Sequence, residues 1–212
     1  MNGIYAIKPL FQKALTPLED ALVSAKVHPD AITLAAFAVS IAGAVSLAMC
    51  SLPGMLWLLC TSPVVAFVRT ALNALDGMVA TRTGSARAWG EVLNEFSDRL
   101  SDLAIFAGLF LSRQANGPLL ASVLVSVLLS SFMGVLSKAA GAKRQFGGLM
   151  GKADRMVLFG LMGPLAFFLD QKGVLPACTV IDGYLAIVFV ATVITLLQRG
   201  VRTYVDLKSA GK

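Results

Sequence analysis

Residues 73 to 102 read NALDGMVATRTGSARAWGEVLNEFSDRLSD. Apolar stretches long enough to cross a bilayer lie on both sides of this polar run. An ionisable group near membrane hydrocarbon is costly, so it marks a functional site by default. Asp76, Glu91, Glu95, Asp98 and Asp102 crowd into the segment, with Gly77 and Gly90 among them. Carboxylates, glycines and arginines together suggest a metal-assisted site for a phosphate-bearing substrate.

Working outward, a spanning helix needs about 20 mostly apolar residues. Six segments satisfy this, at roughly 31–50, 54–81, 89–113, 117–138, 153–170 and 180–203. Asp30, after Pro29, is the expected N-cap of the first. Upstream, residues 4–27 are amphipathic. Ile7, Phe11, Leu15, Leu18 and Leu22 recur at helical spacing, with Lys8, Lys13, Glu19, Asp20 and Lys26 mostly opposite. The pattern predicts a helix lying in the membrane interface, and a helix packed against the bundle is the alternative. The expected fold is all-α: an integral membrane protein of six transmembrane helices preceded by an N-terminal amphipathic interfacial helix. Residues 1–212 form a single membrane domain without internal repeats, the bundle spanning 31–203. Pro9 and Pro17 interrupt the first residues, so no cleavable signal peptide is expected.

Composition agrees. The chain of 212 residues is 57% hydrophobic and 14% charged, against about 25% charged in soluble domains; its mean hydropathy is +0.77. The net charge of +6 could suggest nucleic acid, but the basic residues form no stripe interleaved with aromatics and sit where loops would face anionic headgroups. Arg82, Arg87, Lys138, Lys143, Arg144 and Lys152 fall on one side of the six spans, with Lys8, Lys13, Lys26, Lys208 and Lys212 of the termini. Only Arg113 and Lys172 fall on the other. The positive-inside rule then puts both termini and the polar motif in the cytoplasm, for a protein of the bacterial inner membrane. A single histidine, His28, argues against a His-based zinc site or a Ser-His-Asp triad. Cys50, Cys60 and Cys178 lack metal-site spacing and read as small core residues.

Within the motif, Asn73, Asp76 and Ala80 share one helical face, and Asn94, Asp98 and Asp102 share another. A hairpin turning near residues 83–87 can point these faces at each other. Gly77 and Gly90 admit a ligand or a neighbouring backbone. Hard oxygens without His or Cys point to magnesium or manganese.

The segment resembles the signature of the CDP-alcohol phosphotransferase family, D-x2-D-G-x2-A-R-x8-G-x3-D-x3-D. Asn73 takes the first Asp position and Asp76 the second; Gly77 and Ala80 match, Thr81 stands for the Arg with Arg82 following, Gly90 matches, and Asn94 and Asp98 take the last two Asp positions. HPDAIT at 28–33 resembles the segment opening the family's first membrane helix, and the layout fits nearly the whole chain. The resemblance implies transfer of a phosphatidyl-type group from a CDP-linked lipid, CDP-diacylglycerol foremost, to a polar alcohol, with release of CMP. It implies a homodimer, two divalent metals at the Asp positions, and Asp98 as the base activating the acceptor hydroxyl. Two asparagines leave only half the carboxylate charge. The substrate diphosphate, Glu91, Glu95 or Asp102 can supply the rest, and Asp102, one turn beyond Asp98, is the better auxiliary ligand. The second metal is therefore expected to bind weakly until the CDP-lipid arrives.

Around this set, Arg69 can contact a phosphate or pair with Asp98 or Asp102. Lys152 and Arg155 can form an anion pocket, and Lys152 equally a membrane anchor. Lys143 and Arg144 read as surface charge, Gly134, Gly160 and Gly163 as helix-packing positions, and Trp57 and Trp89 as interfacial belt residues. Two rival functions remain: a catalytically silent relative that binds CDP-lipid or organises partners, and a small transporter. The acids lie at one end of the bundle, which counts against transport.

Overall fold

The computed structural model describes residues 8–210, so Ile7, the rest of 4–7 and Lys212 lie outside the described residues. Seven helices follow in order, with no strand among the described residues: α1 (Lys8–Ser24), α2 (Pro29–Met49), α3 (Ser62–Arg82), α4 (Ala88–Leu111), α5 (Gly117–Ala139), α6 (Lys152–Gln171) and α7 (Ala177–Ser209).

Helix starts follow local chemistry. Pro29 occupies the first turn of α2, where a missing N–H leaves no bond unmade. The cap position therefore falls on His28, whose Nδ1 accepts from the Asp30 N–H at 3.2 Å. Asp30, the expected cap, lies inside the first turn and accepts from Arg87 instead. The apolar run expected to be helical from 54 is divided. Leu56–Thr61 forms a 3₁₀ turn, and Pro63, which cannot donate to a preceding carbonyl, opens α3 after it. Asn116 caps α5, its side-chain oxygen accepting from the Leu119 N–H at 3.0 Å.

Packing runs in a chain of contacts: α2 against α3 and α4, α3 against α6, α6 against α7, α7 against α5, and α5 against α4. The main core joins Leu47, Leu59, Leu109, Val123, Phe159, Ile181 and Leu185. Small residues bring helices close. A Cβ on Gly108 of α4 would lie 2.7 Å from the Ala44 Cα of α2, so only glycine permits that approach. Gly160 faces Pro63 of α3 and Gly163 the Leu59 carbonyl of the 3₁₀ turn, as helix-packing positions should, whereas Gly134 faces the Gln145 carbonyl in the loop after α5. Buried hydroxyls of Ser40, Thr192 and Thr195 bond back to carbonyls one turn earlier, and Ser126 meets Thr192 at 2.7 Å. Such internal satisfaction is what hydrocarbon surroundings demand.

Four helical stretches are long and apolar enough to cross a membrane: Pro29–Met49, Leu56–Arg82, Gly117–Ala139 and Ala177–Ser209. Charged residues keep α4 and α6 out of that set, chiefly Asp98, Arg99 and Asp102 on α4, and Lys152 and Arg155 on α6. The inner face of α1 is seated on α3. Leu15 is buried with Ala71, Leu75 and Val79, the Phe11 ring stands edge-on to Phe67 at 6.2 Å, and Asp20 accepts from Arg82. Leu10 and Leu18 stay exposed on the outer face of α1. Trp57 and Trp89 are exposed. The cysteines are free; Cys50 is buried, but Cys178 is exposed because it is only the second residue of α7, outside the packed interior.

Candidate active site

Helices α3 and α4, joined by residues 83–87, bring the signature residues together at one end of the bundle. Asp76 is buried. Its Oδ2 accepts from Thr33 Oγ1 of α2 at 2.8 Å and from Asn94 Nδ2 of α4 at 2.5 Å. Three helices therefore meet on one carboxylate. Asn94 presents its nitrogen here, leaving its carbonyl oxygen on the other side of the amide.

Asp98 and Asp102 have different surroundings. Asp98 Oδ1 accepts from Lys152 Nζ, and the Nη2 of Arg69 stands 4.0 Å from the same oxygen. Asp102 is held on both sides, Oδ1 by Arg69 at 2.9 Å and Oδ2 by Arg155 at 3.2 Å. Arg69 also donates to the backbone carbonyl of Asp98 at 3.2 Å. Arg69 thus takes the ion-pair alternative of its two readings, and Arg155, read as part of an anion pocket, pairs with Asp102 as well, tying α3, α4 and α6 together. Burying three charges is costly unless they are mutually paired; here each guanidinium bonds an Asp102 oxygen, while Arg69 Nε has no hydrogen-bond partner among the described residues.

The remaining predicted residues separate by place. A polar cavity of about 490 Å³ is lined by Asp76, Gly77, Ala80, Thr81, Gly90 and Asn94. A Cβ on Gly77 would meet only open space, so its missing side chain adds volume to this region. Arg82 is absent from that wall; it pairs with Asp20 and lies 3.7 Å from Glu19 of α1. Asn73 and Lys152 line a second, mostly apolar cavity of about 540 Å³ with Phe67, Met156 and Leu161, between α3 and α6.

Sequence reasoning missed several members of the polar wall: Asp30, Thr33, Arg87 and Arg144. The first two belong to HPDAIT, whose family likeness was visible although its role was not. Arg144, expected as surface charge, is half-buried. Glu91 and Glu95, one turn apart on α4, both accept from it, and its guanidinium lies 4.5 Å above the Phe146 ring. Lys143 is exposed, as expected. Lys138 donates to both oxygens of Glu91 at 2.7 Å.

The donor chemistry of the site suits a hard cation. Asp76 and Asp98 offer carboxylates, Asn73 and Asn94 amide oxygens, and neither His nor Cys stands among them. The Asn73 side-chain nitrogen is buried without a hydrogen-bond partner among the described residues. A half-turn of that amide exchanges its nitrogen for its oxygen. Among the described residues no cluster of three or more His, Cys, Asp or Glu could hold a metal. Two carboxylates and two amides are the oxygen-only donor types that hard divalent ions take.

No family model matches the chain. It is 38% identical over 160 residues to the inner membrane protein YnbA of Escherichia coli, covering 76% of this chain and 78% of that protein. It is 30% identical over 208 residues to the phosphatidylinositol phosphate synthase of Mycolicibacterium smegmatis, covering 94% of this chain and 88% of that one. Among solved structures, phosphatidylinositol phosphate synthase of Mycobacterium tuberculosis with CDP-DAG bound superposes with a TM-score of 0.70 at 25% identity, covering 91% of this chain and 94% of that chain. The same enzyme in complex with manganese and citrate gives a TM-score of 0.69 at 25% identity, covering 89% and 88%.

Proposed function

The chain belongs to the CDP-alcohol phosphotransferase family, and on that premise we propose that it moves a phosphatidyl-type group from a CDP-linked lipid to a polar alcohol, releasing CMP. One observation carries the reading: a polar cavity on the Asp76 side and an apolar one on the Asn73 side flank the same signature helix. The nucleotide suits the first and acyl chains the second. CDP-diacylglycerol is the donor that fits both.

In this reading Gly77 and Gly90 leave room for the nucleotide, and the apolar wall of α3 and α6 excludes water from the lipid side. Asp98 accepts the proton of the acceptor hydroxyl as its oxygen bonds to the lipid-side phosphorus. The bond from that phosphorus to the CMP oxygen breaks, and CMP leaves with the electron pair. Lys152, on the wall of the apolar cavity, donates to the Asp98 carboxylate. A magnesium or manganese ion held by Asp76, Asp98 and the amide oxygens of Asn73 and Asn94 would supply neutralising charge on the diphosphate. The manganese in the mycobacterial relative supports this. We assign Asp102 to pairing with Arg69 and Arg155 in place of metal ligation, because both its oxygens already carry guanidiniums.

We further read α2 to α7 as six membrane crossings, with α1 along the cytoplasmic face. Phe96, Phe110 and Leu111 of α4, and Leu161 and Phe168 of α6, are exposed on the outside of the bundle, which supports crossing despite the inward charges. The basic loops support a cytoplasmic site and cytoplasmic termini in a bacterial inner membrane, and the family supports a homodimer.

The test is CMP release from CDP-diacylglycerol by the purified protein with magnesium or manganese. A panel of glycerol phosphate, inositol phosphate, serine and related polyols serves as acceptors, and Asp98→Asn as control. Acceptor-dependent release that EDTA and the substitution abolish is expected. CDP-lipid binding without release under any acceptor would instead mark a silent relative.

A further inference from the structure

A third cavity, about 660 Å³, runs between α1 and α3. It shares Asn73 and Ala74 with the apolar cavity, and Gly77 and Thr81 with the polar one. It therefore lies between the compartments that suit acyl chains and nucleoside. In a CDP-lipid the two phosphates occupy that intermediate position.

The walls of this cavity carry two cations, Lys13 and Arg82, and one acid, Glu19. Gln12, Lys13 and Thr16 of α1 line it opposite Asn73 of α3. The Thr81 hydroxyl donates to the Gly77 carbonyl at 2.8 Å and brings no charge. Arg82 and Glu19 line the cavity too, but Arg82 is paired with Asp20 and sits 3.7 Å from Glu19. Lys13 has no acidic partner among the described residues and is the cation left over.

Building on the proposed donor, we infer that Lys13 binds a phosphate oxygen of the CDP-lipid, so that α1 forms one wall of the donor site. The helix is then part of the substrate machinery as well as a support for α3. The charge that Thr81 does not supply on α3 comes from the neighbouring helix.

The experiment uses the full chain in neutral detergent micelles, with Lys13→Ala, Lys13→Glu and Lys13→Arg. Lys13→Ala raises the KM for CDP-diacylglycerol about tenfold, the scale of one charge-assisted hydrogen bond. Lys13→Glu raises it further, Lys13→Arg restores it, and kcat and melting temperature stay near wild type in all three. A Lys13→Glu enzyme with wild-type KM overturns the inference while leaving the proposed activity standing. So does a defect that appears only when phosphatidylglycerol is added to the micelles, because Lys13 would then be sensing membrane charge. Wild type that neither binds nor turns over CDP-diacylglycerol overturns the donor reading, and the role of Lys13 with it.

Discussion

At the scale of single residues, Asp98 and Asp102 are one helical turn apart and have different partners. Asp102 is nearly inaccessible and bonded to Arg69 and Arg155, so Asp102→Asn leaves two buried guanidiniums short of charge. Breaking one side of a buried ion cluster costs about 3–5 kcal/mol. The variant is expected to melt well below wild type in detergent. Asp98→Asn is expected to shift the melting point much less and to slow transfer by about 10²–10⁴-fold, the range of a lost general base. A thermal scan and a rate assay on the two variants separate these roles. Their spacing showed that both acids share a face. It could not show that Arg155, more than 50 positions away, completes the Asp102 cluster, nor that Asn94 turns its nitrogen to Asp76. Such pairings depend on which helices become neighbours, and a single helical repeat carries no record of that.

At the scale of elements, the glycines divide by what faces them. Gly108 abuts Ala44 across the α2–α4 contact, so Gly108→Leu forces those helices apart. Overpacking of this kind costs about 1–3 kcal/mol or more, and the measured midpoint of thermal unfolding should fall. Gly77→Ala meets no atom within 4 Å, so it should fold normally and weaken donor binding by narrowing the site. Calorimetric titration with CDP-diacylglycerol reads that difference. Helix positions were largely legible, because apolar runs of spanning length leave few alternatives; α2, α4, α5 and α6 fall close to their expected limits, whereas α7 runs on to Ser209, past the expected end at 203. Local backbone chemistry was harder to read. Pro29 moved the α2 cap from Asp30 to His28, and Pro63 divided the run that begins near residue 54. Both departures come from proline's missing N–H, which hydropathy does not register.

At the scale of the molecule, the proposed orientation puts residues 83–87 and 140–151 in the cytoplasm and the start of α7 on the far side. Cys178 is exposed there. A membrane-impermeant maleimide should label it in cells with a permeabilised outer membrane and an intact inner membrane. A cysteine introduced as Lys143→Cys should react only after the inner membrane is opened. The reverse pattern would turn the molecule over and place its polar cavity outside the compartment where the sequence reading sets it. Three cavities run side by side along α3. The apolar one is walled by Phe67 and Leu161, the polar one holds Asp76, and Asp98 lies on the neighbouring α4. The central claim is that this site transfers a phosphatidyl group rather than merely holding a lipid. Its most direct test is mass spectrometry of lipids after the purified protein is incubated in liposomes with CDP-diacylglycerol, magnesium and the acceptor panel. A new lipid, heavier than the phosphatidyl group by one acceptor, is expected to form in step with CMP and to be missing with Asp98→Asn. Unchanged CDP-diacylglycerol with every acceptor, in liposomes where the protein demonstrably binds it, would contradict phosphatidyl transfer.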